Sequence, residues 1–157
     1  MTVATDLRQE LERAGFEYDV IDHRRTMTAR DEAEAIGVPP EHVAKTVVLT
    51  TDEGYVRAVV SASDHLDLRK ARQLIGDDKH VRLASEAELV FAYPMYELGA
   101  VPPFGIPFGD RVLFDQRLAD RESVLLEAGS HEESLKLKTA DLLALTKAEI
   151  ADIAATR

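Results

Sequence analysis

One lysine and one loop carry most of the polar chemistry that this sequence offers. Lys45 stands where a run of β-branched residues begins, in Val43-Ala44-Lys45-Thr46-Val47-Val48-Leu49. A lysine at the start of a buried strand either reaches past its neighbours to water or meets an anion, a phosphate or a carboxylate. The loop is Glu97-Leu98-Gly99-Ala100-Val101-Pro102-Pro103-Phe104-Gly105-Ile106-Pro107-Phe108-Gly109. It is too rich in Gly and Pro for a helix or a central strand, and too apolar for an ordinary solvated loop. Pro fixes φ and removes a backbone donor, while Gly permits φ > 0 and close approach of another group. The stretch therefore reads as stiff and shaped, with freely presented carbonyls. It is either one wall of a binding site or a plain connection under a hydrophobic lid.

The histidines are His23, His42, His65, His80 and His131, and there is no cysteine. No pair has metal-ligand spacing, so no metal site is expected. His23 and His131 fall in expected loops, where a functional histidine is easiest to place. Ser130 and His131 are adjacent, so on a strand they would face opposite ways, which argues against a Ser-His-Asp unit. There is no G-x-S-x-G elbow, no P-loop and no G-x-G-x-x-G after a strand, and no cofactor is expected.

The chain has 157 residues, 45% hydrophobic and 31% charged, with a net charge of −10. That length suits one domain, spanning 1–157, with enough core to need no staples. The acidic balance argues against a general duplex binder, whose affinity comes from neutralising many phosphates, but allows a local site for one phosphate or one nucleotide end. Arg24, Arg25 and Arg30 form one basic cluster, and Arg69, Lys70, Arg72, Lys79 and Arg82 another. Both read as solvated faces with acids nearby. The polar, amphipathic start holds no apolar run long enough for a signal peptide or a membrane span, so a cytoplasmic protein with no membrane contact is expected.

The elements that must position Lys45 and the loop follow from the pattern. Thr5 is placed to cap a first helix ending at Gly15, and Phe16 to Ile21 alternates as a strand. Thr28 and Asp31 resemble a capping box, with Ala29, Ala33 and Ile36 as the apolar face of a helix that Gly37 ends. Val43 to Thr51 is a strand covered on both faces. Asp52-Glu53-Gly54 turns it into Tyr55 to Ala62. A helix follows with Leu68, Ala71 and Ile75 on one face and Gly76 after its end, then a short strand from His80 to Leu83. Next comes a helix boxed by Ser85 and Glu88. Past the loop, Arg111 to Asp115, Ser123 to Ala128 and Ser134 to Lys138 read as strands. Thr139 caps a further helix, and Thr146 with Glu149 suggests a fresh helix start. The fold class is α+β: a mixed, largely antiparallel sheet that curls and is flanked by helices.

Together, Lys45 and the Gly99 loop resemble the YbaK-like family, related to the editing domain of bacterial prolyl-tRNA synthetase. Val43 to Leu49 is similar to its lysine-bearing strand, and Gly99-Ala100-Val101-Pro102-Pro103 to its G-x-x-x-P loop, here extended by Phe104 and Gly105. Met27 to Pro40, Val59 to Leu74 and Ala128 to Leu142 resemble its helix and IGVPP turn, its LDL step and its terminal hairpin. The resemblance runs from about Phe16 onward. It implies a free-standing aminoacyl-tRNA deacylase whose partners are the 3′ end of aminoacyl-tRNA and a synthetase. Lys45 would be the anchor and Gly99 would frame the catalytic pocket with Pro103. Thr46, His23, Ser61, Ala100, Val101, Pro102, Phe104, Ser130 and His131 complete the implied substrate-binding set. No side-chain base stands out, so the terminal ribose hydroxyl of the substrate is expected to assist. There are two departures. Members acting on cysteinyl-tRNA carry Ser and Asp where this chain has Glu127 and Ser134, which argues against a cysteine substrate. Ser61 stands where a Pro often ends the strand. The competing reading is a non-catalytic module that holds an amino acid or nucleotide in the same pocket. A third is a subunit that mainly docks on another protein.

Overall fold

The strand carrying Lys45, β2 (Ala44–Thr51), lies inside a five-stranded sheet. In the computed structural model, which describes residues 5–76, 79–104, 109–127 and 129–155, β2 pairs antiparallel with β3 (Gly54–Ser61) through the expected hairpin. On its other side it meets the two-residue β5 (Arg82–Leu83). β6 (Arg111–Asp115) joins β3 in parallel, and β9 (Glu149–Ala151) joins β6 in parallel. A second sheet of three antiparallel strands runs β1 (Tyr18–Asp22), β8 (Glu133–Lys138), β7 (Ser123–Glu127). Two short strands, β4 (His65–Leu66) and β10 (Ala154–Ala155), pair with each other. A parallel bridge between Val43 and Leu125 brings the first two sheets edge to edge, so the surface curls as expected.

The helices form where the sequence signals them. In α2 (Ala29–Ile36), Thr28 accepts a hydrogen bond from Asp31 N, and Gly37 closes the end at φ 88°. Asp67 caps α3 (Leu68–Ile75), and Ser85 with Glu88 makes both halves of a capping box on α4 (Glu86–Ala92). α1 (Thr5–Ala14) lays Leu7 and Leu11 on a core shared with Val59, Phe114, Leu126 and Leu135. The short α5 (Gln116–Ala119) and α6 (Thr139–Thr146) add Leu118 and Leu142. The opposite face of β3 packs Val56, Ala58 and Val60 against Ala71 of α3 and Ile153. Both faces of the central sheet are thus covered. None of the described helices is long and apolar enough to cross a membrane.

Several local expectations are corrected. Thr146 and Glu149 do not open a helix. Lys147 terminates α6 in the left-handed region at φ 53°, and the chain returns as β9, held to β6 by a bidentate Arg111–Glu149 pair. Thr139 is inside α6, not at its cap, which Lys138 occupies without a side-chain bond. The strand expected from His80 shrinks to Arg82–Leu83. The expected cap by Thr5, the far part of the loop at 105–108 and the strand end at 128 lie outside the described side chains.

The middle of β3 holds a residue no periodicity argument would place there. Arg57 is 0% exposed. Its Nη1 donates to the carbonyls of Pro102, at 2.9 Å, and Phe104, while Nε donates to Asp110 Oδ2 at 3.0 Å. The guanidinium also lies 4.8 Å from the ring centroid of Tyr93, whose hydroxyl donates to the same Asp110. A buried cation of this kind is tolerable only with such partners. It pins Pro102 and Phe104 through their carbonyls. Arg57→Ala should cost about 3–5 kcal/mol of stability in chemical denaturation, and Arg57→Lys should fail to restore it, because an ammonium cannot span these acceptors. A fully stable lysine variant would show that the planar fork is not needed.

Candidate functional site

The Val43–Leu125 bridge decides what faces Lys45. Two residues further along each parallel strand stand Lys45 and Glu127, which therefore present to the same side. Both line a cleft of about 290 Å³. Thr28, Ala29 and Glu32 of the α2 segment form another part of its lining, and Ala44 and Thr46 come from β2. Gly99, Ala100 and Val101 complete it. A wider depression of about 500 Å³ at the far end of the β2–β3 hairpin, around Asp52, Lys79 and His80, contains none of the expected residues.

The loop wall is built from backbone. Gly99 has φ 86°, where an L side chain is strained, and a Cβ there would stand 3.5 Å from His131 Cε1. Ala100 N donates to Glu97 O, and Ala100 O accepts from Gly129 N at 2.7 Å. These groups are spent on holding the loop, so Ala100 is not a donor for substrate.

Behind the loop, His131 is 4% exposed. Its Nε2 lies 2.6 Å from Leu98 O, its Nδ1 3.0 Å from Glu127 Oε1, and its backbone N–H donates to Glu97 Oε2. Thr26 Oγ1 donates to the other oxygen of Glu127 at 2.9 Å. Glu127 thus ties the cleft floor to the loop. Burial pushes its carboxyl up from the ordinary carboxylate range, against the opposing pull of Thr26 and His131.

A second chain of hydrogen bonds lies beside it. Ser134 Oγ meets Glu32 Oε2 at 2.5 Å and His23 Nε2 at 2.9 Å, and His23 Nδ1 lies 2.7 Å from Arg24 O. Glu32 is 1% exposed, and burial pushes its pKa up to about 8, aided by the neighbouring Glu127 and opposed by Ser134. His23, Glu32 and Glu127 offer ligand atoms within 4.8 Å of one another, a spacing from which a cation could draw. Their donors and acceptors are instead engaged with Ser134, Thr26, His131 and Arg24, which makes the group a hydrogen-bonded network.

Of the expected residues, Lys45, Thr46, Gly99, Ala100 and Val101 meet in the cleft. The others take supporting places. His23 stands behind Glu32, and His131 behind Gly99. Pro102 and Phe104 hand their carbonyls to Arg57, and Pro103 between them is buried. Ser130 Oγ accepts from Glu132 N in a tight turn. Ser61 opens on a separate cavity of about 200 Å³ with Glu41, Asp64 and Arg117. Sequence reasoning missed Glu32, although a signal was present: it falls between Ala29, Ala33 and Ile36 on the apolar face of α2.

Because the folded pKa of Glu32 lies above its ordinary 4.5, the folded protein holds an extra proton between that value and about 8. Stability should therefore fall as pH rises from about 5 to about 8, by on the order of 2 kcal/mol. Glu127 acts with the same sign. Exposed carboxylates with lowered values, such as Glu88, act below this window. Urea denaturation at the two pH values should show this fall in the wild type and a smaller one in Glu32→Gln. An undiminished fall in the variant would contradict the assignment.

The aminoacyl-tRNA editing domain family matches residues 23–145. A solved structure described as a “putative trans-editing enzyme for prolyl tRNA synthetase” is 28% identical, with 95% of this chain and 94% of that one covered and a TM-score of 0.83. Another, described as the hypothetical protein APE2540, shares the fold at a TM-score of 0.85 and 24% identity, covering 95% of this chain and 99% of that one. No curated protein matches the sequence. With the family match spanning most of the chain and enclosing Lys45, the Gly99 loop and both buried glutamates, the protein belongs to the aminoacyl-tRNA editing domain family.

Proposed function

We propose that this protein is a trans-acting deacylase that hydrolyses the ester joining a wrong amino acid to the 3′ end of tRNA. The observation that carries the reading is the cleft in which Lys45 and Thr46 meet Gly99, Ala100 and Val101. Its volume, about 290 Å³, is at the lower end for ligand sites, which favours a small aminoacyl group. Lys45 supplies the cation for the anionic 3′ end or for charge that develops on the carbonyl oxygen. Gly99 frames the pocket by shape. An aminoacyl ester is already activated, so positioning the carbonyl and a water provides much of the rate.

A small pocket also suits a second sieve, which removes residues that a synthetase discriminates weakly. Alanine or serine on a proline or alanine tRNA is the substrate class we favour. The relative described as acting for prolyl tRNA synthetase supports the proline side of that choice. With a net charge of −10, tight hold on the tRNA body is not expected, and a synthetase partner would supply tRNA choice.

A panel of mischarged tRNAs tests this. The wild type should deacylate at least one with a small amino acid, and Lys45→Ala should lower kcat/KM by about tenfold to a hundredfold. No hydrolysis above background for any member would leave only a binding module. In the same assay Gly99→Val should lose more activity than Ser130→Ala, since Gly99 needs its positive φ and Ser130 serves a turn. The reverse order would contradict the role given to the loop.

A further inference from the structure

The Glu32–Ser134–His23 chain can be counted proton by proton. His23 Nδ1 lies 2.7 Å from the Arg24 carbonyl, an acceptor without a hydrogen, so this nitrogen carries one. Ser134 has one hydroxyl hydrogen and two close partners, Glu32 Oε2 at 2.5 Å and His23 Nε2 at 2.9 Å. Each of these contacts needs a hydrogen, because two lone pairs do not face each other at such distances. One further proton must therefore lie on the chain. Either Glu32 is a neutral acid donating to Ser134, which donates to His23, or Glu32 is a carboxylate accepting from Ser134, and His23 is an imidazolium donating to it. The two arrangements have equal total charge and differ by one shift along each hydrogen bond.

The same count applies to the neighbouring pair. His131 Nε2 carries a hydrogen toward Leu98 O, so its Nδ1 contact with Glu127 also holds one extra proton. Glu127 and His131 are thereby neutral as a pair. The Glu32 chain differs from this pair in that its proton is shared through a serine between two titratable side chains. Glu32 itself lines the cleft, while Ser134 and His23 do not.

We propose that Glu32 is the proton-transfer residue of the hydrolysis, with Ser134 and His23 as positioning residues that store its proton. This rests on the deacylase reading above. In the arrangement with the proton on His23, the Glu32 carboxylate takes a proton from the attacking water as its oxygen bonds to the ester carbonyl carbon. The tetrahedral adduct then collapses. The bond from carbonyl carbon to ribose oxygen breaks, and that oxygen takes the proton back from Glu32. Water and ester become free amino acid and a tRNA hydroxyl, and the relay returns to its starting state. A side-chain base is thus available where the sequence showed none.

The test is a single-turnover pH profile on a mischarged tRNA that the wild type deacylates. The groups facing Glu32 are His23 through Ser134, Glu127 with His131, and Lys45 across the cleft. In the wild type the rate should fall toward acid pH as the relay takes up a second proton. Glu32→Gln keeps a hydrogen bond to Ser134 but should lower the rate by about 100-fold or more and abolish the acid limb. Its affinity for a non-hydrolysable 3′-amide-linked alanyl adenosine should stay within about threefold of wild type, as expected when only transition-state chemistry is lost. Ser134→Ala removes the bond that favours the carboxylate, so its acid limb should move to higher pH. This second variant decides the matter should Glu32→Gln fold poorly. Wild-type rate and limb in Glu32→Gln, or an unmoved limb in Ser134→Ala, would overturn the relay while leaving the deacylase reading intact. A wild type that hydrolyses no mischarged tRNA would overturn both.

Discussion

The shape of the cleft depends on a cation with no exposed surface. Arg57 lies in the central strand, and its guanidinium needs acceptors that the strand does not supply. The carbonyls of Pro102 and Phe104 supply them, with Asp110 and the face of Tyr93. Proline makes a segment whose carbonyls are stiffly presented, and the arginine binds two of those carbonyls. Pro102 thus serves the fold, holding the loop that continues from Gly99 to Val101.

The second constraint comes from burying two carboxyls side by side. Glu32 and Glu127 cannot both hold full charge in such a place without partners. Each has been given a histidine, one directly and one through a serine. The result is a polar, hydrogen-bonded floor. It faces a wall with one lysine. This pairing suits a reaction that must hold an anion, move a proton and release a neutral hydroxyl. Glu127 and Ser134 both take part in this network.

Lys45 was legible because a lone cation interrupts an apolar strand. The loop was legible because Gly and Pro leave a compositional mark. The caps at Thr28 and Ser85 follow local rules and form as read. What escaped the sequence depends on contacts between distant segments. Arg57 looks like any strand residue until the loop 45 positions later folds over it. Glu32 is an acid on a helix face whose apolar neighbours hinted at burial, but only β8 shows what receives it. His131 reads as a surface loop histidine, yet the loop carrying Leu98 closes over it. β9 has three residues and no periodicity, so nothing local distinguished it from a helix start. Its parallel partner β6 and the Arg111–Glu149 pair decide it.

The central claim is that the aminoacyl end of tRNA enters the cleft between Lys45 and Gly99. Mapping amide and methyl NMR shifts on titration with a 3′-amide-linked alanyl adenosine tests that claim most directly. The account predicts saturable shifts confined to Thr28, Ala29, Lys45, Thr46, Gly99, Ala100, Val101 and their immediate neighbours. Shifts gathered instead around Asp52, Lys79 and His80, with the Lys45 region unchanged, would contradict it.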